Sequence, residues 1–325
     1  MKLSGPLYLT GAFALAGSSV ISARLLSGHV GTFTITAVSL AFALIALLPL
    51  CAGKLKQTIK QMRRSDVVML LLQALFGIFL FRLFLLQGIL RTSTSEAGLL
   101  TGATPAITAV LAWGFLKERV SPLSLTGVVC TVGGVLLIQG LATSHLSAEH
   151  LLGNLLVIGA AASESAFNIM SRVSAVKAEK NAPLDPIVQT TLVSAFALVF
   201  CIVPMMFEQP IEKLGVLGIT EWLALVWYGV FVTALAFICW YAGIKRCNAS
   251  TAAAFTGMMP FTSLLLSVLL LGEHAGFEQW VGGALVVLGM VLIGLRKETK
   301  QEPLLSHADY VNETQLEKPM PDSTT

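Results

Sequence analysis

Charge is what this 325-residue chain has least of: Asp, Glu, Lys and Arg together make up 12% of it, against 55% hydrophobic residues. A soluble core of this size does not need so much apolar sequence, and a mean hydropathy of +0.80 points to a bilayer as the solvent. Cysteine is sparse as well. Cys51, Cys130, Cys201, Cys239 and Cys247 stand far apart, none in a CxxC or Cys/His spacing, so neither a disulfide framework nor a zinc site is indicated. His29, His145, His150, His274 and His307 are equally scattered, and there is no HExxH helix or GxSxG elbow. No GxxxxGK[ST] phosphate loop occurs, which excludes nucleotide hydrolysis as a power source. Nothing in the chain calls for a cofactor, a resident metal or a nucleic-acid partner.

What is there is apolar sequence in long runs. A helix needs about twenty residues to cross the hydrocarbon core. Ten stretches qualify, roughly 6–25, 30–52, 67–90, 94–116, 121–141, 152–173, 186–207, 220–243, 249–271 and 277–296. They are too long and too poor in alternation for a transmembrane barrel. Lys2 followed by an apolar run ending at Ser22-Ala23 has the outline of a secretory signal. Yet Gly5, Leu7, Gly11, Ala12, Ala14, Ile21 and Arg24 match Gly153, Leu155, Gly159, Ala160, Ala162, Ile169 and Arg172 of the sixth run, so the segment is expected to stay as a span.

The chain also repeats itself. Residues 76–140 reappear 155 positions later without a gap: Gly88-Ile89-x-Arg91 as Gly243-Ile244-x-Arg246, Thr101-Gly102-x-x-Pro105 as Thr256-Gly257-x-x-Pro260, Glu118 as Glu273, and Gly127 and Gly134 as Gly282 and Gly289. Two copies of an odd number of spans must lie in the bilayer in opposite orientations. With the N-terminus placed in the cytoplasm, seventeen Lys and Arg fall on the cytoplasmic side and only Arg24, Arg91 and Lys213 on the other. That bias predicts cytoplasmic N- and C-termini and an even number of spans. The expected organisation is therefore an all-α membrane protein of ten transmembrane helices in two inverted five-helix repeats, residues 1–143 and 144–298. A polar, disordered cytoplasmic tail is expected after them, over 299–325.

The paired T-G-x-x-P segments at Thr101–Pro105 and Thr256–Pro260, the Glu118 and Glu273 turns and the glycine-bearing fifth and tenth runs resemble the drug/metabolite transporter superfamily, in its EamA branch. The resemblance covers nearly all of residues 5–296. It implies a central cavity formed mostly by spans one, three, four, six, eight and nine, worked by alternating access. It also implies export of amino acids, related metabolites or toxic compounds across a bacterial cytoplasmic membrane.

Charges inside the apolar runs are the residues most able to do chemistry. Arg82 lies in the third run and Glu164 in the sixth, with Asn168 at i+4 on the Glu164 face. In one reading they line an aqueous cavity, Arg82 holding a substrate carboxylate and Glu164 an ammonium group or a coupling proton. In the other they form a purely structural ion pair. Helical spacing puts Phe79 on the Arg82 face, and the equivalent face of the eighth run carries Phe237 and Tyr241. Trp227, Tyr228 and Trp240 are weaker candidates, best explained as core. Thr101 and Thr256 head the mid-span motifs whose Pro105 and Pro260 free a backbone carbonyl and would serve as kink or gating points. Ser18 would offer a hydroxyl, although such serines commonly bond their own helix. Gln73, Gln87 and Gln189 are intramembrane amides without a further clue. Lys54 to Arg64 reads as a topology signal facing anionic lipid. The expected partners are thus a small-molecule substrate, the lipid bilayer and protons as coupling ion. A nucleotide-sugar or organic-phosphate exchanger would need several cavity bases where only Arg82 qualifies. A membrane-embedded enzyme would need a complete acid/base set where only Glu164 and Arg82 come close.

Overall fold

The computed structural model describes residues 4–26, 29–89, 91, 104–116, 122–138, 151–180, 184–247, 249–271 and 275–294. The expected tail at 299–325 and Thr101 lie outside the described residues. Every regular element among the described residues is helical. In order they are α1 (Ser4–Gly17), α2 (Ser19–Leu26), α3 (Thr32–Gln61), α4 (Arg64–Ala74), α5 (Phe81–Ile89), α6 (Thr104–Leu116), α7 (Pro122–Ile138), α8 (Leu151–Lys180), α9 (Pro186–Met206), α10 (Pro210–Gly215), α11 (Ile219–Trp227), α12 (Ala236–Ile244), α13 (Ala249–Ala254), α14 (Met258–Leu271) and α15 (Phe277–Gly294). A π-helical stretch, Leu75–Leu80, joins α4 to α5, and another, Tyr228–Leu235, joins α11 to α12. A 3-10 turn, Phe255–Gly257, joins α13 to α14.

Among the described residues five stretches are long and apolar enough to cross a membrane: Thr32–Gln61, Arg64–Leu85, Leu151–Val176, Pro186–Met206 and Ile219–Ile244. Shorter apolar helices lie at Leu125–Leu137, Phe255–Leu266 and Phe277–Gly289. The first five coincide with the second, third, sixth, seventh and eighth apolar runs of the sequence. Large apolar side chains such as Leu7, Ile45, Val110, Phe115, Val199 and Leu269 point outward. That is the arrangement expected of a multi-pass membrane protein, whose solvent is lipid.

Two helix pairs make the broadest contacts. α7 packs along α15, and glycine lets their backbones touch. A Cβ on Gly134 would stand 2.5 Å from the carbonyl oxygen of Gly282, and one on Gly289 would stand 2.6 Å from that of Gly127. Gly127 and Gly134 are the repeat equivalents of Gly282 and Gly289, so each glycine meets the other's partner. That reciprocity is the mark of a two-fold relation, and the register makes the pair antiparallel. The same exchange recurs elsewhere. Gly88 of α5 abuts Val157 of α8, while its equivalent Gly243 of α12 abuts Leu9 of α1.

The second broad pair is α3 with α9, tied at both ends. Glu208, just past α9, accepts from the backbone N–H groups of Phe33 (3.1 Å) and Thr34 (2.7 Å) and from the Thr34 hydroxyl (2.8 Å), closing the N-terminus of α3. At the other end Asp185 caps α9 by accepting from Ile187 N–H at 2.9 Å, with Pro186 in the first turn. Lys54 Nζ donates to the second Asp185 oxygen at 2.7 Å. The Lys54 side chain, taken from the sequence as a topology signal, thus also has a specific partner. Burial by itself would raise the Asp185 pKa, but the Lys54 and Ile187 hydrogen bonds and the nearby Lys54 and Lys245 charges outweigh it and hold the carboxyl low. Burial lowers the pKa of Lys245, which the Asp185 charge opposes and that of Arg246 reinforces; its ammonium group donates to the Leu184 carbonyl.

Candidate substrate site

The two π-helical stretches are the local feature that shapes the site. Shifted by 155, Leu75–Leu80 falls on 230–235, inside Tyr228–Leu235. Such segments are rare and frequent at functional positions, because the extra residue widens the helix and re-aims the side chains beyond it. Arg82 and its repeat equivalent Phe237 come directly after, each at the second residue of its helix, α5 or α12. The widened backbone of the second stretch is kept satisfied by Thr233, whose hydroxyl donates to the Tyr228 carbonyl at 2.9 Å.

Arg82 and Glu164 do not form an ion pair. The Arg82 Nη1 donates to Thr36 Oγ1 at 2.8 Å, and its Cζ stands 4.7 Å from the centre of the Tyr228 ring. Glu164 instead hydrogen-bonds with the Thr104 side chain on α6. Among the described residues the one ion pair between acidic and basic side chains is that of Lys54 with Asp185. Tyr228, which sequence reasoning placed in the core, is therefore the face on which the guanidinium lies. Thr36 was not a candidate at all.

Asn168 is 2% exposed, and its Nδ2 has no acceptor among the described residues. Thr108 Oγ1, one turn beyond Thr104 on α6, is likewise buried without a partner among them. α6 lies along α8, with Ser165 donating to the Thr104 carbonyl at 3.4 Å and Ala112 packed against Ile169. The two helices therefore run in the same direction, and Thr108 and Asn168 lie at similar heights. Buried polar atoms left in this state imply a ligand or water to complete them.

The aromatic candidates separate into two groups. Phe79 has Phe33 at 5.8 Å and Phe200 at 6.0 Å between ring centres. Phe237 joins Phe167 (5.8 Å) and Tyr241 (6.3 Å), and Phe167 also stacks on Trp240 at 5.7 Å. Gly77 makes room for this cluster, since a Cβ there would lie 2.4 Å from the Phe167 ring. Tyr241 is 1% exposed and its hydroxyl donates to Gln73 Oε1 at 2.9 Å. Gln189 Nε2 donates to the same oxygen at 3.1 Å, and Gln73 Nε2 donates to Ser174 Oγ at 2.9 Å. Two of the three amides that carried no clue in the sequence, Gln73 and Gln189, thus form a buried network joining α4, α8, α9 and α12, whereas Gln87 accepts from Arg91 outside it.

Ser18 stands at the break between α1 and α2. It donates to the Leu15 carbonyl at 2.6 Å and accepts from Trp227 Nε1 at 3.0 Å. Trp227 is 41% exposed rather than core, its ring stacked on Phe231 at 4.3 Å. Pro105 is the second residue of α6, and Pro260 the third of α14, directly after the 3-10 turn that contains Thr256. Thr256 is buried, and its neighbour Gly257 presses on Thr131 of α7, where a Cβ would stand 2.6 Å away. An apolar groove of about 500 Å³ between α14 and α15, lined by Phe261, Trp280 and Val287 among others, includes none of these candidates.

Comparison with known proteins places this geometry. The model of the EamA-like transporter family matches residues 3–140 and again 151–295. An uncharacterized transporter of Bacillus subtilis, YetK, is 29% identical over 292 residues, covering 89% of this chain and 86% of that protein. The aromatic amino acid exporter YddG of Ancylobacter novellus is 24% identical over 220 residues, 67% of this chain and 71% of that one. A protein of known crystal structure superposes with a TM-score of 0.72 at 19% identity, over 90% of this chain and 96% of that chain, and so shares the fold.

Proposed function

Because the chain belongs to the EamA-like transporter family, we propose that it is a secondary active transporter that exports amino acids or closely related metabolites from a bacterial cell. Ten spans in two inverted halves, with both termini in the cytoplasm, would alternate access to a central cavity. The reciprocal Gly127–Gly289 and Gly134–Gly282 approaches of α7 and α15 support the inverted arrangement, because equivalent helices that cross antiparallel enter the membrane from opposite sides.

The observation that carries the substrate assignment is Arg82. A guanidinium keeps its charge at any physiological pH, and an unpaired one among transmembrane helices demands an anion. Here it has a hydroxyl and an aromatic face but no carboxylate among the described residues. A substrate carboxylate completes it. Glu164 and the unsatisfied Asn168 on α8 are suited to an ammonium group and a neighbouring acceptor, which together describe a zwitterion. Phe79, Phe237 and the rings around them would receive an apolar or aromatic side chain, in keeping with what the Ancylobacter relative exports. Glu164, in the interior of α8, would also carry the coupling proton.

Proteoliposomes loaded and assayed with a panel of radiolabelled amino acids, with and without a pH gradient, test this reading. Arg82→Ala is expected to cut transport of the preferred substrate by about 10- to 100-fold, the worth of one charge-assisted hydrogen bond. Glu164→Gln is expected to abolish the response to the pH gradient. Wild-type rates for both variants on every substrate would sink the proposal.

A further inference from the structure

We infer that Tyr228 and Thr36 are positioning residues that turn Arg82 into a fork selective for a planar carboxylate. The inference rests on the substrate reading of Arg82 given above and adds what sets its selectivity.

Thr36 is an acceptor with no freedom to be anything else. Its hydroxyl donates to the Thr32 carbonyl at 2.8 Å, as a threonine on a helix commonly does, so only its lone pairs face Arg82. The Arg82 Nη1 is drawn to that oxygen at 2.8 Å. Tyr228 fixes the remaining degree of freedom. With Cζ 4.7 Å from the ring centre, the guanidinium is held against an aromatic face and loses its freedom to tilt. One hydrogen on one nitrogen is thereby engaged, and the Nε and Nη2 hydrogens have no acceptor among the described residues. These point along one edge of a flat group, the geometry that a carboxylate takes up in two parallel hydrogen bonds.

The carboxylate that closes the start of α3 is already engaged. Glu208 meets α3 at Phe33 and Thr34, and both of its oxygens accept hydrogen bonds there. Thr36, Arg82 and Tyr228 come from three different elements, α3, α5 and the second π-helical stretch, so the fork exists only when these are assembled. Its preference should be for carboxylates over amides of the same shape, because an amide offers one acceptor where the fork needs two.

The test uses the full-length protein in lipid nanodiscs, titrated with phenylacetate and with phenylacetamide, with thermal stabilisation as the readout. Wild type is expected to be stabilised by phenylacetate and not by phenylacetamide. Tyr228→Met, which keeps volume but has no aromatic face, should weaken the apparent phenylacetate Kd by about 3- to 10-fold. Thr36→Val, nearly isosteric, should weaken it by a similar factor of about 3 to 10. Tyr228→Phe should bind as wild type does, since the ring and not the hydroxyl carries the guanidinium. Arg82→Lys keeps the charge without the fork and should lose the discrimination between acid and amide.

If Tyr228→Met and Thr36→Val both bind phenylacetate with the wild-type Kd, the positioning role is overturned while the Arg82 reading survives. Failure of wild type to distinguish acid from amide, or an unchanged Kd in Arg82→Ala, overturns the carboxylate assignment and this inference with it. Should Tyr228→Met not fold, Thr36→Val against Tyr228→Phe decides the matter: a wild-type Kd in Thr36→Val overturns the inference.

Discussion

The helix pairs α3/α9 and α7/α15 differ in kind from the broken helices α4–α5 and α11–α12. The first stay α-helical from end to end, even past Pro49 of α3 and Pro204 of α9, and touch through glycine backbones or are tied at their ends by Glu208 and by the Lys54–Asp185 pair. The second each switch to π-helical geometry at the same repeat position and then present a large side chain, Arg82 or Phe237. A regular helix satisfies its own backbone and gives its side chains to packing. A widened one trades that economy for a re-aimed side chain and a flexible joint. The contrast separates two fixed pairs, which form a frame, from two irregular helices, which carry the Arg82 and Phe237 side chains of the proposed site.

The frame is broken most severely at its closest approach. Gly134→Val or Gly289→Val would drive a side chain into a backbone carbonyl, and we expect a loss of about 2–3 kcal/mol or complete failure to recover folded protein. Gly133→Ala, with nothing within 4 Å of a new Cβ, is the control and should melt like wild type. Size-exclusion profiles and melting temperatures read both. Equal behaviour of the two sites would remove the glycine contact from the frame.

Within an irregular helix the effect should be smaller and reparable. Gly77→Ala meets the Phe167 ring and should cost about 1–3 kcal/mol, because a ring can yield where a backbone cannot. Adding Phe167→Leu should recover much of it, a coupling that a double-mutant cycle on thermal midpoints measures directly.

The end ties are weaker still. Because its folded pKa is lowered, Asp185 contributes stability fully above the ordinary aspartate value of 3.8 and loses it as pH falls below that through the folded value. Since Lys54 is 69% exposed, solvent screening limits the contribution to about 1 kcal/mol or less. The melting difference between wild type and Asp185→Asn should therefore be small at pH 7 and vanish at the acid end of a titration. A difference that grows towards acid would contradict the assignment. The smallest effect is expected from locking the frame. Cys51 Sγ already lies 3.5 Å from Thr191 Oγ1, so Thr191→Cys should cross-link α3 to α9 on oxidation and leave transport rates unchanged. Transport lost on oxidation and restored by reductant would show that this pair moves.

How much of this was legible in the sequence depended on whether the signal was local. Arg82 and Glu164 stood out because a charge in an apolar run is costly wherever the helix packs. The π-helical stretches gave no such sign, as Leu75–Leu80 and Tyr228–Leu235 read like the rest of their runs. Gln73, Tyr241 and Gln189 were visible as polar residues, but not as partners, being more than a hundred positions apart for each bond from Gln73. Trp227 looked like core because its polar contact is Ser18, 209 residues earlier.

Composition and periodicity by themselves determined that the chain is helical and of the membrane, because the transfer of each apolar run out of water depends on that run alone. The repeat determined which residues are equivalent. Only the tertiary structure decided that Gly127 meets Gly289 and Gly134 meets Gly282, and that Arg82 lies on Tyr228 while Glu164 turns to Thr104. A buried polar group is satisfied by whatever acceptor packing brings within about 3 Å, and that proximity exists only once the helices have assembled.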